Sequence, residues 1–270
     1  MLELINIYKT FNACSLSEVK SLVNFSLKIN KGDFVTVIGT NGSGKSTLQN
    51  IISGTISPDS GSILIDNANV TNWREDKRAS LIGRVFQNPF TGTAPGMTIA
   101  ENLALAALRG KIRGLRWALR KKLVAQMKEK LSTLKMGIED RLDAPVGTLS
   151  GGQRQAITLL MASWLEPKIF LLDEHTAALD PKSAEKIINL TKEIVESRKL
   201  TTLMVTHSMQ QAANLGNRLI MMHRGRLVRD IQGEERNRLK TDDLLNMFEE
   251  LRLLEQLDES AAEMLQENYI

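Results

Sequence analysis

A glycine-rich octapeptide, GTNGSGKS at residues 39–46, constrains the fold of this chain more than any other feature. It fits the pattern G-x-x-x-x-G-K-[ST], which is typical of a phosphate-binding loop. An apolar run, Phe34–Ile38, precedes it and predicts a buried strand, and residues 47–52 after it predict a helix. A strand, a glycine loop and a helix in this order aim backbone N–H groups and a helix dipole at one point. We therefore expect this loop to bind phosphate groups.

Each residue type in the loop suits that purpose. The glycines let the backbone curl around an anion because no Cβ is in the way. Lys45 can reach the β- and γ-phosphates of a nucleotide, and the hydroxyl of Ser46 can bind Mg²⁺. The predicted nucleotide-binding residues here are Gly39, Thr40, Asn41, Gly42, Ser43, Gly44, Lys45, Ser46 and Thr47.

Two adjacent carboxylates, Asp173 and Glu174, follow a second unbroken apolar run, Ile169–Leu172. Such a run predicts a central parallel strand that delivers both acids at its carboxyl end. In open α/β sheets ligands bind at that end of the strands. The two acids are therefore expected to lie near the phosphate loop.

The string LSGGQ at residues 149–153 precedes this run and identifies a family. Together with the phosphate loop and the two acids, it resembles the nucleotide-binding subunit of ABC (ATP-binding cassette) transporters, over about residues 2–233. The resemblance implies an α/β fold: a P-loop NTPase (RecA-like) core with an antiparallel β subdomain and an α-helical signature subdomain at about 90–160. It also implies ATP and Mg²⁺ as cofactors.

The resemblance assigns roles to the residues that carry the chemistry. Glu174 would polarise the attacking water as general base, and His207 would contact the γ-phosphate as the switch histidine. Asp173 would hold the metal shell, with Ser46 and Gln87 as direct ligands of Mg²⁺. None of these groups is missing, so we expect an active ATPase rather than a regulatory module that binds ATP without turnover.

Further residues would act in nucleotide stacking and in a dimer. Phe11 corresponds to the aromatic residue that stacks on adenine, with Tyr8 as the alternative, and Asp180 lies in the loop that crosses the dimer interface. The signature residues would contact ATP bound by a second subunit, which is another copy of this chain or a paralogue. These signature residues are Ser150, Gly151, Gly152 and Gln153.

Three positions depart from the common pattern of the family. His175 stands where most relatives have proline, Ala177 where serine is commoner, and Ala156 where an arginine usually follows the signature. The stretches 83–87, 173–180 and 202–207 look like the ATPase of bacterial importers that use a solute-binding protein, some of them for amino acids such as tryptophan. We therefore expect a peripheral subunit at the cytoplasmic face of the membrane, docked to a permease through residues 88–101.

A basic segment, residues 109–135, keeps an alternative open. It carries ten Lys and Arg side chains against one acid, Glu129, and such a segment suits nucleic acid, anionic lipid or an acidic protein surface. Nucleic-acid-acting members of the family usually have two cassettes or long insertions, which this chain lacks. We therefore expect no nucleic-acid partner.

Composition agrees with a globular chain of ordinary type. Of 270 residues 42% are hydrophobic and 24% charged, and no run approaches 18 consecutive apolar residues, so we expect no membrane span. The start lacks an export signal, and Cys14 is the single cysteine, as in cytosolic proteins. Residues 234–270 are acidic and predict an amphipathic helical extension that packs on its own domain or contacts a partner.

The remaining pattern alternates strands with helices, which predicts a parallel sheet. Residues 2–6 and 22–29 predict antiparallel strands joined through a polar loop at 12–20, and residues 98–136 predict the helical subdomain. The other predicted strands are 33–38, 62–66, 81–86, 168–172, 201–205 and 218–222, and the other predicted helices are 153–164, 182–197 and 209–215.

Overall fold

Two β-sheets organise the protein in the computed structural model, which describes residues 1–110 and 121–251. The smaller sheet is antiparallel, with strand order β2-β1-β4-β5. Its strands are β1 (Leu2–Phe11), β2 (Val19–Ile29), β4 (Ser60–Ile65) and β5 (Ala68–Asn69). The predicted antiparallel pair is confirmed, but the predicted loop is too long, because β2 begins at Val19, where backbone pairing with Phe11 continues the hairpin.

The larger sheet has six strands in the order β10-β9-β3-β8-β7-β6. Its strands are β3 (Phe34–Gly39), β6 (Ile82–Val85), β7 (Ile169–Asp173), β8 (Thr202–Val205), β9 (Arg218–His223) and β10 (Arg226–Gln232). The neighbours from β6 to β9 are parallel, and β10 is antiparallel to β9. One strand, β8, thus separates the strand of the phosphate loop from the strand that ends in the two acids.

Side chains of the central strands alternate between two cores, as the period of two in a strand requires. On β7, Ile169 and Leu171 pack toward the small sheet and the first helix. Phe170 and Leu172 pack on the opposite face, against the helical subdomain. Unbroken apolar runs are therefore needed here, because both faces of the sheet are covered.

Nine α-helices accompany the sheets within the described residues, and all but the short one at Glu75–Arg78 lie within or overlap segments that were predicted to be helical. They are α1 (Lys45–Ser53), α2 (Glu75–Arg78), α3 (Ile99–Ala107), α4 (Lys121–Ser132), α5 (Gly151–Ser163), α6 (Pro181–Arg198), α7 (Met209–Asn214), α8 (Gly233–Arg238) and α9 (241–251). Thr98 and Glu101 form a capping box that starts α3. Part of the predicted basic segment, residues 111–120, lies outside the described residues.

The last described helix, α9, packs on the core rather than standing apart. Leu244 is fully buried against Ile38 and Met221, with Phe248 at the edge of the same cluster. The remainder of the predicted extension, residues 252–270, lies outside the described residues. The part of the extension that is described is therefore a helix attached to the strand of the phosphate loop.

Candidate functional site

The phosphate loop has the strand–loop–helix geometry that the sequence predicts, between the end of β3 and the start of α1 at Lys45. Gly44 has φ of 96°, and a Cβ built there would lie 2.3 Å from the carbonyl oxygen of Ser21. At Gly39 a Cβ would lie 2.2 Å from the carbonyl oxygen of Met222. A side chain at either position would therefore displace backbone, which explains why glycine stands there.

The ammonium of Lys45 lies inside the loop. Its Nζ donates to the carbonyl oxygens of Gly39 and Thr40 at 2.8 and 2.9 Å. Burial lowers the pKa of Lys45, and the carboxylates of Glu174 and Asp173 partly offset this shift. The loop therefore holds a desolvated cation, a strong site for an incoming phosphate.

Three predicted site residues meet at the carboxyl ends of β6, β7 and β8. The Nε2 of His207 lies 2.6 Å from Oε1 of Glu174, and the amide of Gln87 donates to Oε2 of Glu174 at 3.0 Å. Glu174 has φ of 42°, in the left-handed region that a non-glycine residue adopts at a cost. Both oxygens of this carboxylate are thus held in a defined direction.

A cation that the sequence patterns did not indicate lies beside Asp173. Arg84, on β6, places its Nη2 3.5 Å from Oδ2 of Asp173, and both side chains are largely buried. Arg84 precedes Gln87 by three positions in the sequence, and this nearness to the predicted metal ligand was the one available signal. The acid pair therefore faces two cations, Lys45 and Arg84.

A network of hydroxyl and amide groups fixes the loop that carries His207. Thr206 donates to Gln211 at 2.9 Å, and Gln211 donates in turn to Thr176 at 3.1 Å. Ser208 caps α7 by accepting from the backbone of Gln211. This network ties residues 206–208, which we call the switch loop, to Thr176, two residues after Glu174.

A cavity of about 310 Å³ lies between the phosphate loop and the switch loop. Thr40 and Asn41 form one side of it, and His207 and Met209 form the other. Phe248 of α9 completes the lining, and sequence reasoning did not place it there because an apolar residue of a helical stripe indicates only packing.

The signature residues lie at the start of α5, where Ser150 is the N-cap. Its hydroxyl accepts from the backbone of Gln153 at 3.2 Å, and the side chain of Gln153 accepts from the backbone of Ser150 at 3.3 Å. Gly152 lies against Ser183 of α6, whose N-cap is Asp180. In the described parts of the chain no hydrogen bond or ion pair links residues 150–153 to the phosphate loop.

Phe11 lies at the end of β1, opposite Val19 of β2. Two residues further along β2, the hydroxyl of Ser21 donates to that of Thr47 at 2.7 Å. The aromatic ring predicted to stack on adenine is therefore carried at the end of β1, beside the part of β2 whose Ser21 contacts Thr47 of α1. The alternative, Tyr8, is 40% exposed on the same strand.

This fold and site define a P-loop nucleoside triphosphatase. The phosphate cradle and the acid pair lie at the carboxyl ends of parallel strands with one strand between them. A family model described as ABC transporter matches residues 22–177.

Two curated relatives match nearly the whole chain. A tyrosine transport ATP-binding protein of Clostridioides difficile (strain R20291) is 45% identical over 249 residues, which are 92% of this chain and 99% of that protein. A xylose/arabinose import ATP-binding protein of Sulfolobus acidocaldarius is 33% identical over 92% of this chain and 94% of that protein.

Solved structures agree with the fold. The cassette MJ0796, in a dimeric post-hydrolysis state bound to ADP and Pi, has a TM-score of 0.73 at 33% identity over 86% of this chain and 98% of that one. The ADP conformation of the cassette MJ1267 has a TM-score of 0.75 at 29% identity, over 94% and 98%. The chain belongs to the ABC transporter family and is the ATP-binding, ATP-hydrolysing subunit of a transporter.

Proposed function

We propose that this chain powers the import of a solute, an amino acid of the tyrosine and tryptophan type, through a separate membrane permease. The observation that carries the catalytic part is the placement of Glu174 between His207 and Gln87 at the mouth of the phosphate loop. The substrate class rests on the 45% identity to the tyrosine transport protein over nearly the whole chain.

The phosphate loop and its lysine are assigned to the triphosphate. The backbone N–H groups at the start of α1 and the ammonium of Lys45 would exchange their internal contacts for phosphate oxygens. Phe11 would receive the adenine ring by stacking. The chain then binds ATP with its γ-phosphate next to Glu174.

The residues around the loop also fit Mg²⁺. Ser46 and Gln87 offer neutral oxygens and Asp173 a carboxylate, which are hard donors of the kind that Mg²⁺ prefers. Bound there, the ion would neutralise charge on the β- and γ-phosphates. Ser46 and Gln87 would be its direct ligands, and Asp173 would hold its water shell.

Glu174 is assigned as general base. Its Oε1 and Oε2 are each held by a neighbour, so the carboxylate can accept a proton from a water placed in line with the γ-phosphate. His207 would contact the γ-phosphate and so report its presence to the switch loop. Oriented neighbours reduce the reorganisation that the transition state requires.

A second ATP-binding subunit completes the site. Ser150 and Gln153 hydrogen-bond to each other and Gly152 lies against Ser183. Among the described residues, no hydrogen bond or ion pair joins the signature residues to their own phosphate loop. We assign residues 150–153 and Asp180 to ATP and to the interface of a partner, a second copy or a paralogue, in a head-to-tail dimer. The solved cassette MJ0796 is described as dimeric.

The subunit is proposed to act at the cytoplasmic face of the cell membrane, docked to the permease through residues 88–101, with an extracytoplasmic solute-binding protein delivering the substrate. Phe90, which is 59% exposed, stacks on the guanidinium of Arg154 at 4.0 Å and gives this segment an exposed aromatic contact. Among the described helices, none combines the length and apolarity that crossing a bilayer requires.

The test is transport in reconstituted vesicles. The tagged chain is purified with its permease from gently solubilised membranes, placed in proteoliposomes, and assayed for ATP hydrolysis and for ATP-driven uptake of labelled tyrosine and tryptophan. The variant Glu174→Gln should bind ATP but lose turnover and uptake by about a thousandfold or more, since it lacks the base. Glu193→Gln, an exposed position on α6, is the matched control.

The outcomes separate the parts of the proposal. Full turnover in Glu174→Gln would overturn the general-base assignment. Normal hydrolysis without uptake of either amino acid would overturn the substrate class and leave the ATPase assignment standing. Co-purification of nucleic acid or ribosomal proteins without a permease would overturn the transport role.

A further inference from the structure

Arg84 lies beside Asp173 in the proposed nucleotide site, although the proposed reaction assigns it no role. It lies on β6 in register with Leu171 of β7, so its side chain projects from the strand that neighbours the acid-bearing strand. Its Nη2 lies 3.5 Å from Oδ2 of Asp173, and only 12% of the side chain is exposed. Arg84 thus contacts, from the adjacent strand, the carboxylate that is predicted to hold the water shell of Mg²⁺.

The other nitrogens of Arg84 reach a different element. Nη1 donates to the hydroxyl of Ser53 at 3.3 Å and to that of Thr55 at 3.5 Å, at the carboxyl end of α1. The guanidinium also lies over the ring of Phe86, 4.7 Å from its centroid, one residue before Gln87. A single planar group thus connects β7, the phosphate-loop helix and the segment that carries Gln87.

Stability alone does not account for this arrangement. The Nε of Arg84 is buried without a hydrogen-bond partner among the described residues, and burying a charge with unmet donors is unfavourable. The positive charge of the Arg84 guanidinium nevertheless suits this position, because Lys45 and Arg84 together balance the two carboxylates of Asp173 and Glu174. Without Arg84 the acids would outnumber the cations before nucleotide binds.

We propose that Arg84 is a positioning residue for Asp173. By contacting Oδ2 it fixes the orientation of the carboxylate that would hold the hydration shell of Mg²⁺. This inference rests on the Mg²⁺ site of the proposed function. The fork of the guanidinium allows this because it contacts Asp173 with one nitrogen while Ser53 and Thr55 anchor another. Neighbours of this kind typically change metal affinity by about 10–100-fold when removed.

A thermodynamic cycle tests the proposal without relying on turnover. In the Glu174→Gln background, the Kd for ATP is measured by isothermal titration calorimetry in EDTA and in excess Mg²⁺. The Kd in EDTA divided by the Kd in Mg²⁺ is the coupling ratio, which reports how strongly metal and nucleotide support each other's binding. Arg84→Met should reduce this ratio about tenfold while the Kd in EDTA stays within about twofold. The ratio for Arg84→Lys should lie between those of the parent protein and of Arg84→Met, since an ammonium cannot contact Asp173 and the hydroxyls of Ser53 and Thr55 at once.

The matched control is Arg218→Met. Arg218 lies on β9 and is largely buried, and it pairs at 2.6 Å with the more exposed Asp230 of β10. This variant should lower the thermal midpoint and leave the ratio unchanged. If Arg84→Met does not fold, the comparison rests on Arg84→Lys.

A ratio unchanged in both Arg84 variants would overturn the proposal. An increased ratio would do so as well, because it would mean that Arg84 acts only as a charge that repels Mg²⁺. If the parent protein binds ATP equally in EDTA and in Mg²⁺, the Mg²⁺ part of the proposed function fails and the role of Arg84 fails with it. An altered ratio in the Arg218→Met control would assign the effect to general destabilisation and overturn the specific role.

Discussion

At the scale of single residues, His175 stands where most members of the family have proline, directly after Glu174. Its ring is buried and its Nε2 lies 2.9 Å from the hydroxyl of Thr191, which donates to the carbonyl oxygen of Ile187. The hydroxyl therefore accepts, and Nε2 carries the proton. The Nδ1 is buried without a hydrogen-bond partner among the described residues. His175 thus ties the end of β7 to α6 and must remain neutral.

Acid should therefore destabilise the fold through this residue. Burial lowers the pKa of His175 to about 4, from 6.5 when it is exposed to water. The unfolded chain binds the proton first as pH falls, so stability present above pH 6.5 is lost progressively toward pH 4. We expect a loss of about 2 kcal/mol at pH 5 from this group.

Denaturant unfolding at pH 7.5 and pH 5 measures this effect. Other groups titrate in the same interval, so the comparison is with His175→Gln. Between pH 7.5 and pH 5 the free energy of unfolding of this variant should fall by about 2 kcal/mol less than that of the parent protein. An equal pH dependence in both proteins would contradict the buried, neutral state of His175.

Much of the site could be predicted from short sequence motifs. The phosphate-loop pattern that ends in Gly-Lys-Ser, and acids directly after a buried strand, are each typical of one kind of site. Lys45, Glu174 and His207 are of this kind, and the structure brings the last two within hydrogen-bond distance. Arg84 and Phe248 could not be predicted, because an arginine on a strand or a phenylalanine on an amphipathic helix is ordinary. Their significance depends on which elements pack beside them.

At the scale of elements, periodicity located most strands and helices, because covered faces demand apolar residues at fixed spacing. The strand β10 was missed, since Arg226, Arg229 and Asp230 interrupt any apolar pattern on this sheet edge. The helix α2 was also missed, because its four residues, Glu75–Arg78, are too few to show a period. Backbone pairing with β9 defines β10, and backbone hydrogen bonds from Lys77 and Arg78 to Arg74 define the start of α2.

The helix α9 gives an element-scale prediction. Leu244 is fully buried against the strand of the phosphate loop, so Leu244→Ala should lower the free energy of unfolding by about 2–5 kcal/mol. Its neighbour Leu245 is 45% exposed, and Leu245→Ala should change the same quantity by about 0.5 kcal/mol or less. Urea denaturation of both variants measures the difference, and equal values would show that α9 is not anchored through Leu244.

At the scale of the whole molecule, the order of the strands was beyond the sequence. Alternating strands and helices predict a parallel sheet, but many orders share that pattern, and long-range packing selects among them. The observed order places β8 between β3 and β7, so the loop after β8 brings His207 to Glu174. That loop and the phosphate loop enclose the cavity that Phe248 lines.

The central claim is that two subunits close over ATP and that Glu174 ends this closed state. Sedimentation velocity of Glu174→Gln with Mg²⁺ and ATP, with ADP, and without nucleotide tests it most directly. We predict that Glu174→Gln is a dimer only in the sample that contains Mg²⁺ and ATP. The same protein carrying Gly151→Asp should be a monomer under all conditions, because the added carboxylate would face the partner's phosphates. A monomer with saturating ATP, or a dimer that persists in the Gly151→Asp protein, would contradict the claim.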